Sequence, residues 1–396
     1  MNITQAATDL VFILQQKGFE ALFVGGAVRD SLLGIPINDI DIATNASASD
    51  VEAIFPKTIP VGIKFGIVIV IHHGMHFEVA TFRQDKDYED GRHPVGYIPS
   101  TKEQDVLRRD FTINGLYLNP VTHHIFDFIE GQNDLKQRLI RAIGDPKKRF
   151  QEDRLRMIRA ARYAAVLNFS IDDPTKEAII NMAPSCLEGL SIERIYQELD
   201  KMHQKGALCE GLKILYELNL LTVLFKQLEP LSSQTLLQRI ERTQALKYAP
   251  LVFSLLILFD IHDEASAIFL IKSLKMSNAY LKMALDAIAF SHYSQFTNYK
   301  MAQYLALPYV KDITLYQSVY EKDKALFEAF MDDKNVQLKP IIDRIIHKDP
   351  LVKAQDLIDL GFEKGPRLKE LLEKSMELHS DHVNWTKDEI IKNLIL

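Results

Sequence analysis

Apolar and polar positions change their rhythm near residue 145. Before it, short β-branched runs alternate with brief helical patterns; from Phe150 onward only helical periodicity stands out. Residues 1–18 predict an amphipathic helix with Ala6, Leu10, Ile13 and Leu14 as its apolar stripe. Glu20–Val24 reads as a short buried strand, broken by Gly25-Gly26, and Ala27–Leu33 as a helix stopped at Gly34. Ser49–Phe55 predicts another short helix, capped by Ser47 or Ser49. Gly62–Ile71 (GIKFGIVIVI) and His76–Phe82 read as a hairpin turning at His72-His73-Gly74. Phe111–Leu118 is an apolar segment, strand-like or helical. Helices are expected over Glu152–Val166 and Ser191–Met202, with Leu212, Leu215, Leu218 and Leu221 as packing residues beyond them. The pattern predicts an α+β chain: a head with a small mixed β-sheet, then an all-α remainder. Boundaries are expected to give a head over 1–145, a neck over 146–205, a body over 206–295 and a tail over 296–396.

Length and composition narrow the class. A chain of 396 residues exceeds one ordinary core. With a net charge of −6, any nucleic-acid contact must come from a local patch. A basic stretch runs through Lys136, Arg138, Arg141, Lys147, Lys148 and Arg149. Cys186 and Cys209 form no metal or disulfide spacing, which fits a reducing cytoplasm, and no secretory signal is visible. The apolar run near Leu251–Phe259 is too short to span a bilayer and predicts a buried helix, so no membrane partner is expected.

The candidate chemistry starts in the stretch FEALFVGGAVRDSLLGIPINDIDIAT, Phe19–Thr44. A strand entering a helix through Gly25-Gly26 offers free backbone N–H groups to a phosphate, and Arg29 adds a cation one turn later. In a strand, Asp39 and Asp41 would share one face, with Ile40 and Ile42 turned to the core. Paired carboxylates repel unless a cation sits between them, and hard oxygen ligands suit Mg²⁺. Together the two halves describe a triphosphate site beside two metal ions. Glu78 is either a third carboxylate at this site, able to hold metal or take a proton, or a strand-edge glutamate facing water. Gln84–Gln104 is polar and too long for an ordinary connection, which predicts a mobile functional loop.

In the helix predicted from Glu152, Asp153, Arg156, Arg159 and Arg162 recur every third residue. Such a row is commonly a solvated face of ion pairs. Three arginines against one acid favour anion contacts instead. His262-Asp263 resembles a phosphohydrolase metal dyad, but no supporting histidine accompanies it, and it reads as a helix end.

GGAVRD followed by DIDIAT resembles the polymerase β-type nucleotidyltransferases, and specifically the class II tRNA nucleotidyltransferases, the CCA-adding enzymes and related bacterial poly(A) polymerases. RRDFTING (Arg108–Gly115), EDRLRMIRAARYA (Glu152–Ala164) and SIERIYQELDKM (Ser191–Met202) match later motifs in order. The specific match covers the first half of the chain; the second half matches in helical character and near Gly361.

The resemblance implies tRNA, CTP and ATP as substrates and two Mg²⁺ ions on Asp39 and Asp41. It puts Arg109 on the nucleotide, and Asp153 and Arg156 as a protein template, with Arg159 and Arg162 nearby on base or phosphate. Cytosine and adenine both show an amino donor beside a ring-nitrogen acceptor, which a carboxylate and a guanidinium can read; uracil and guanine show the reverse. The long loop argues against CC-only members, and KFGIVIV after the carboxylates looks more like the CCA type than poly(A) polymerases. Those polymerases, an A-adding enzyme and a catalytically inactive RNA-binding module are the rivals. GFEKGPR (Gly361–Arg367) resembles the family's tRNA-binding tail, making Lys364, Arg367 and Lys369 candidate phosphate contacts; a solvated helix start is the other reading. Oligomeric state stays open between monomer and homodimer.

Overall fold

The computed structural model describes residues 1–62, 66–85 and 97–395. Two compact units divide the chain, Met1–Leu231 and Ser232–Leu396. The first therefore holds both the head and residues 146–205.

Its head opens with α1 (Ile3–Gln16), closed by a capping box between Asn2 and Gln5. Ala6, Ala7, Leu10, Val11 and Leu14 are buried, so the core stripe runs through Ala7 and Val11 while Ile13 lies at its margin. There follow β1 (Ala21–Val24), α2 (Gly26–Leu32), β2 (Asp41–Thr44), α3 (Ala48–Ile54), β3 (Thr58–Gly62), β4 (Ile67–His72) and β5 (Met75–Thr81). Ser47 caps α3 with a capping box to Asp50. The apolar run expected as one strand from Gly62 to Ile71 is divided: Gly62 closes β3, β4 begins at Ile67, and residues 63–65 lie outside the described residues. His73 and Gly74 both take left-handed φ, 49° and 77°, the geometry a two-residue hairpin turn requires.

Next come β6 (Arg83–Asp85), β7 (Tyr97–Pro99), α4 (Lys102–Asp105), β8 (Tyr117–Leu118) and β9 (Ile125–Phe126). Among the described residues, seven strands form one sheet in the order β3-β4-β5-β2-β1-β8-β9. It is mixed: β2 runs parallel to β5 and antiparallel to β1. The flanks of the expected loop are structured, since β6 and β7 pair antiparallel and α4 follows; residues 86–96, the middle of that loop, lie outside the described residues. Between Phe111 and Leu118 the chain is a 3₁₀ turn, Thr112–Asn114, and then β8.

The unit continues with α5 (Gly131–Gln137), β10 (Leu139–Ile140), α6 (Pro146–Glu152), α7 (Leu155–Leu167), β11 (Ser170–Ile171), α8 (Asp173–Met182), α9 (Ile192–Gln204), α10 (Leu208–Glu217) and α11 (Leu221–Leu224). Among the described residues, β11 is the one strand after Phe150. It pairs parallel with β10 over two residues, too few to register as a pattern. Helix α7 packs on α9 and α10, and its Leu155, Ile158, Ala161 and Ala165 are all buried.

The second unit is helical throughout its described residues. Leu251–Phe259 is a helix with Leu251 to Leu258 all buried. Asp263 caps the next helix by accepting from the Ser266 N–H, so His262-Asp263 marks a helix start. The tail has its own core of Val352, Leu357, Leu368, Leu371, Ile390 and Leu394. No described helix is long and apolar enough to cross a membrane.

Candidate active site

Strand β1 ends at Val24, opposite Asp41, and the chain leaves the sheet at Gly25. Gly25 has φ 73° and ψ −134°, a region essentially restricted to glycine. Its N–H donates to the Leu116 carbonyl, and a side chain there would point at Arg109 and the Asp41 carboxylate. The turn thus brings backbone close to Asp41.

Val24 pairs with Asp41, where β2 begins; Asp39 lies two residues before it, and the alternation of exposed Asp39 and Asp41 with buried Ile40 and Ile42 runs through both. Ile40 and Ile42 are fully buried, as expected. The parallel register of Ile42 with Val79 places Glu78 on the strand beside Asp41. Phe77 and Val79 are buried and Glu78 is exposed, so it lies on the sheet's open face. Asp41 also reaches solvent, yet the protein around its carboxyl, then Glu78 and Asp39, push its pKa up to about 6 against the pull of Arg109. Glu78 shifts upward for the same reasons, burial first and then Asp39. Asp39, Asp41 and Glu78 thus repel one another, and carboxylate oxygens are the donors that a hard divalent cation takes.

Asp41 forms one wall of a cleft of about 310 Å³ lined also by Gly25, Gly26, Arg108, Arg109, Asp110, Asn114, Asp153, Leu155, Arg156, Arg159, Tyr163 and Arg194. Five arginines face three aspartates in that lining, an excess of cations that suits an anionic ligand.

Each arginine is held by a second group. Asp105, 1% exposed, takes Arg108 and Arg109 at 2.9 Å and the Tyr117 hydroxyl at 2.7 Å. Burial opposes its charge, but Arg109 and Arg108 outweigh it and hold its carboxyl at about 2. Asp110 receives Arg159 at 2.6 Å and the Asn114 amide at 3.1 Å; against burial, Arg159 likewise holds it at about 2. Arg156 donates to the Glu152 carboxylate and to the carbonyls of Arg149 and Arg108. Pairs of this kind fix guanidinium planes in advance of a ligand.

The row read as one helix face is interrupted. Glu152 ends α6, Asp153 is extended at φ −153° and ψ 104°, and α7 starts at Leu155. The reason is local: the Asp153 carboxylate accepts from the Leu155 N–H, as a capping residue does, and so leaves the helix. Arg194 of α9 then bridges both its oxygens at 3.1 and 2.8 Å. Asp153, Arg156 and Arg159 reach the cleft; Arg162 does not line it, and instead pairs with the buried Glu198 and lies 4.0 Å from the centre of the Tyr163 ring. Arg29 is also outside the lining. It points inward to Asn114 at 2.6 Å and to Asp30, and rests over Tyr163.

Arg194, Tyr163, Asn114, Asp105 and Asp110 belong to the site and were not singled out from sequence. Asp105 was legible as an acid three and four residues before Arg108 and Arg109. Arg194 lies 41 residues from Asp153, a separation that no local spacing reveals. Glu198 of α9, 2% exposed, receives Arg162, Arg159 and Lys201. In the second unit Lys364, Arg367 and Lys369 are exposed around the start of the helix Pro366–Asp381, with Arg367 paired to Glu370 and Lys369 to Glu373.

The family profile described as the poly A polymerase head domain matches residues 21–141. A second, described as the probable RNA and SrmB-binding site of polymerase A, matches residues 168–231. The CCA-adding enzyme of Anoxybacillus flavithermus is 37% identical over 378 residues, covering 93% of this chain and 90% of the relative. The chain belongs to the CCA-adding enzymes. That of Bacillus cereus is 33% identical across 95% of this chain and 94% of its own. The crystal structure of the Bacillus stearothermophilus CCA-adding enzyme in complex with CTP superposes with a TM-score of 0.79 at 29% identity, over 100% of this chain and 98% of that one. Thermotoga maritima CCA-adding enzyme, complexed with tRNA, shares the fold at 20% identity and a TM-score of 0.66, covering 98% of this chain and 93% of its own. Members of this nucleotidyltransferase family generally use a divalent metal, in keeping with the donor set around Asp41.

Proposed function

We propose that the chain adds C, C and A to the 3′ end of tRNA from CTP and ATP, releasing pyrophosphate, without a nucleic-acid template. The observation that carries this reading is one cleft in which Asp41, the Gly25 turn and the paired Asp153 and Arg194 face a common space rich in arginine.

Asp39 and Asp41, with Glu78 beside them, are the residues that would hold two Mg²⁺ ions. When bound, the ions neutralise the triphosphate and lower the pKa of the attacking 3′-hydroxyl. Gly25 and Gly26 let the backbone approach the phosphates closely. Arg109, fixed by Asp105 and Tyr117, offers its guanidinium to phosphate oxygens. Arg29 acts through Asn114, bracing the turn that follows Arg109. Asp153 accepts from the amino group of cytosine or adenine while Arg156 donates to the neighbouring ring nitrogen, and Arg194 orients the Asp153 carboxylate. Arg159 faces the cleft from Asp110, and Arg162 serves by holding Tyr163 and Glu198 in place. Lys364, Arg367 and Lys369 contact tRNA phosphates, as recognition of an RNA helix by charge and shape requires. Two free, buried cysteines accord with work in the cytoplasm.

The test is incubation with tRNA transcripts ending at the discriminator base, with each NTP alone and with CTP and ATP together. CTP alone should add two residues, and CTP with ATP three. A run of A from ATP alone would overturn this reading in favour of a poly(A) polymerase or A-adding enzyme.

A further inference from the structure

Away from the cleft, Asp9 of α1 lies against the β4–β5 turn. Its Oδ2 atom is 2.7 Å from Nε2 of His72 and 3.0 Å from Nε2 of His73. All three donor atoms lie within 4.8 Å of one another. Two imidazoles and a carboxylate from two separate elements thus converge on one point.

The scaffold fixes them. His72 is the last residue of β4, with its ring edge against Phe55 at 5.9 Å between centroids. His73 takes φ 49° in a turn completed by Gly74, which brings the two rings to 4.2 Å. Asp9 is held by α1, which packs on β4 and β5. The three side chains are 40%, 17% and 42% exposed in the order Asp9, His72 and His73, so water can complete a coordination shell.

From this geometry we infer that Asp9, His72 and His73 form a site for a zinc-type divalent ion, separate from the catalytic carboxylates. Imidazole nitrogens select zinc and its neighbours over Mg²⁺ or Ca²⁺, which take oxygen ligands. Tetrahedral zinc with bonds near 2.0–2.1 Å sets its donors about 3.3 Å apart. The observed 2.7 and 3.0 Å fall within about 0.6 Å of that, a change side-chain torsions can supply. Bound there, the ion would staple α1 to the hairpin whose second strand carries Glu78.

The probe is ZnCl₂ in excess Mg²⁺, titrated calorimetrically into the full chain in an Asp39→Ala, Asp41→Ala background that removes competing carboxylates. One saturable site and a rise in Tm are expected. Loss of an outer-shell partner alone costs metal sites about 10–100-fold in affinity, so His73→Gln or Asp9→Asn should weaken binding at least tenfold. His72→Gln should do the same, and all three should keep the parent's circular dichroism without zinc. No saturable binding, or equal affinity in parent and variants, would overturn the inference.

Discussion

Replacing Asp153 by alanine tests base selection where the structure is most specific. Arg194 grips both oxygens of the Asp153 carboxylate, and each side chain is 21% exposed. A uracil here would set its carbonyl against the carboxylate and its N–H against Arg156. Each unpaired polar group costs about 1–3 kcal/mol. Two mismatches therefore cost about 2–6 kcal/mol, and partial exposure argues for the lower end. At about 1.4 kcal/mol per tenfold, that is roughly thirtyfold to a hundredfold in favour of CTP over UTP. Asp153→Ala removes both the acceptor for cytosine and the repulsion of uracil. The assay is kcat/KM for CTP and UTP on tRNA ending at the discriminator base, and the ratio should fall by about tenfold or more. Arg194→Ala should lower the ratio as well, and the double variant should do little more than Asp153→Ala, because the two act as one unit. An unchanged CTP/UTP ratio would show that Asp153 only caps α7 and that the bases are read elsewhere.

Three further outcomes follow from the geometry. Asp41 has its carboxyl raised to about 6. Between about pH 4 and 6 the folded form keeps a proton that the unfolded chain has released, so this group's contribution to stability falls as pH rises through that window; scanning fluorimetry should show Mg²⁺ raising Tm more at pH 8 than at pH 5, and an equal shift would remove the carboxylates as the cation site. Gly25→Ala meets nothing closer than 3.9 Å but forces φ 73° on a side chain, so urea unfolding should show a loss of about 1–3 kcal/mol together with reduced addition of both nucleotides. Glu198→Ala leaves Arg162 facing an empty buried site, and removing one partner of a buried ion pair costs about 3–5 kcal/mol; wild-type stability in urea would contradict the bracing role given to Glu198.

Local signals explain what could be read from the chain alone. The Gly25-Gly26 break, the buried Ile40 and Ile42 and the hairpin at His73-Gly74 all rest on neighbours within a few residues, and the structure has them as expected. Period alone could not see that Asp153 leaves the helix, because its cap bond to the Leu155 N–H competes with helical pairing. Arg29 and Arg162 read as cleft cations, but their partners Asn114 and Glu198 are 85 and 36 residues away and draw them inward. The order of the seven strands, with β2 between β5 and β1, is likewise a property of long-range pairing.

On the function proposed above, the carboxylates of Asp39 and Asp41 serve one nucleotidyl-transfer site for both bases. The direct measurement is single-turnover addition by Asp39→Ala and Asp41→Ala, on tRNA lacking CCA and on tRNA ending in CC, alongside tRNA binding by filter retention. Both variants should lose C and A addition together while binding tRNA within a few-fold of the parent. Addition of either nucleotide at the parent's rate in both variants would contradict that shared role of Asp39 and Asp41.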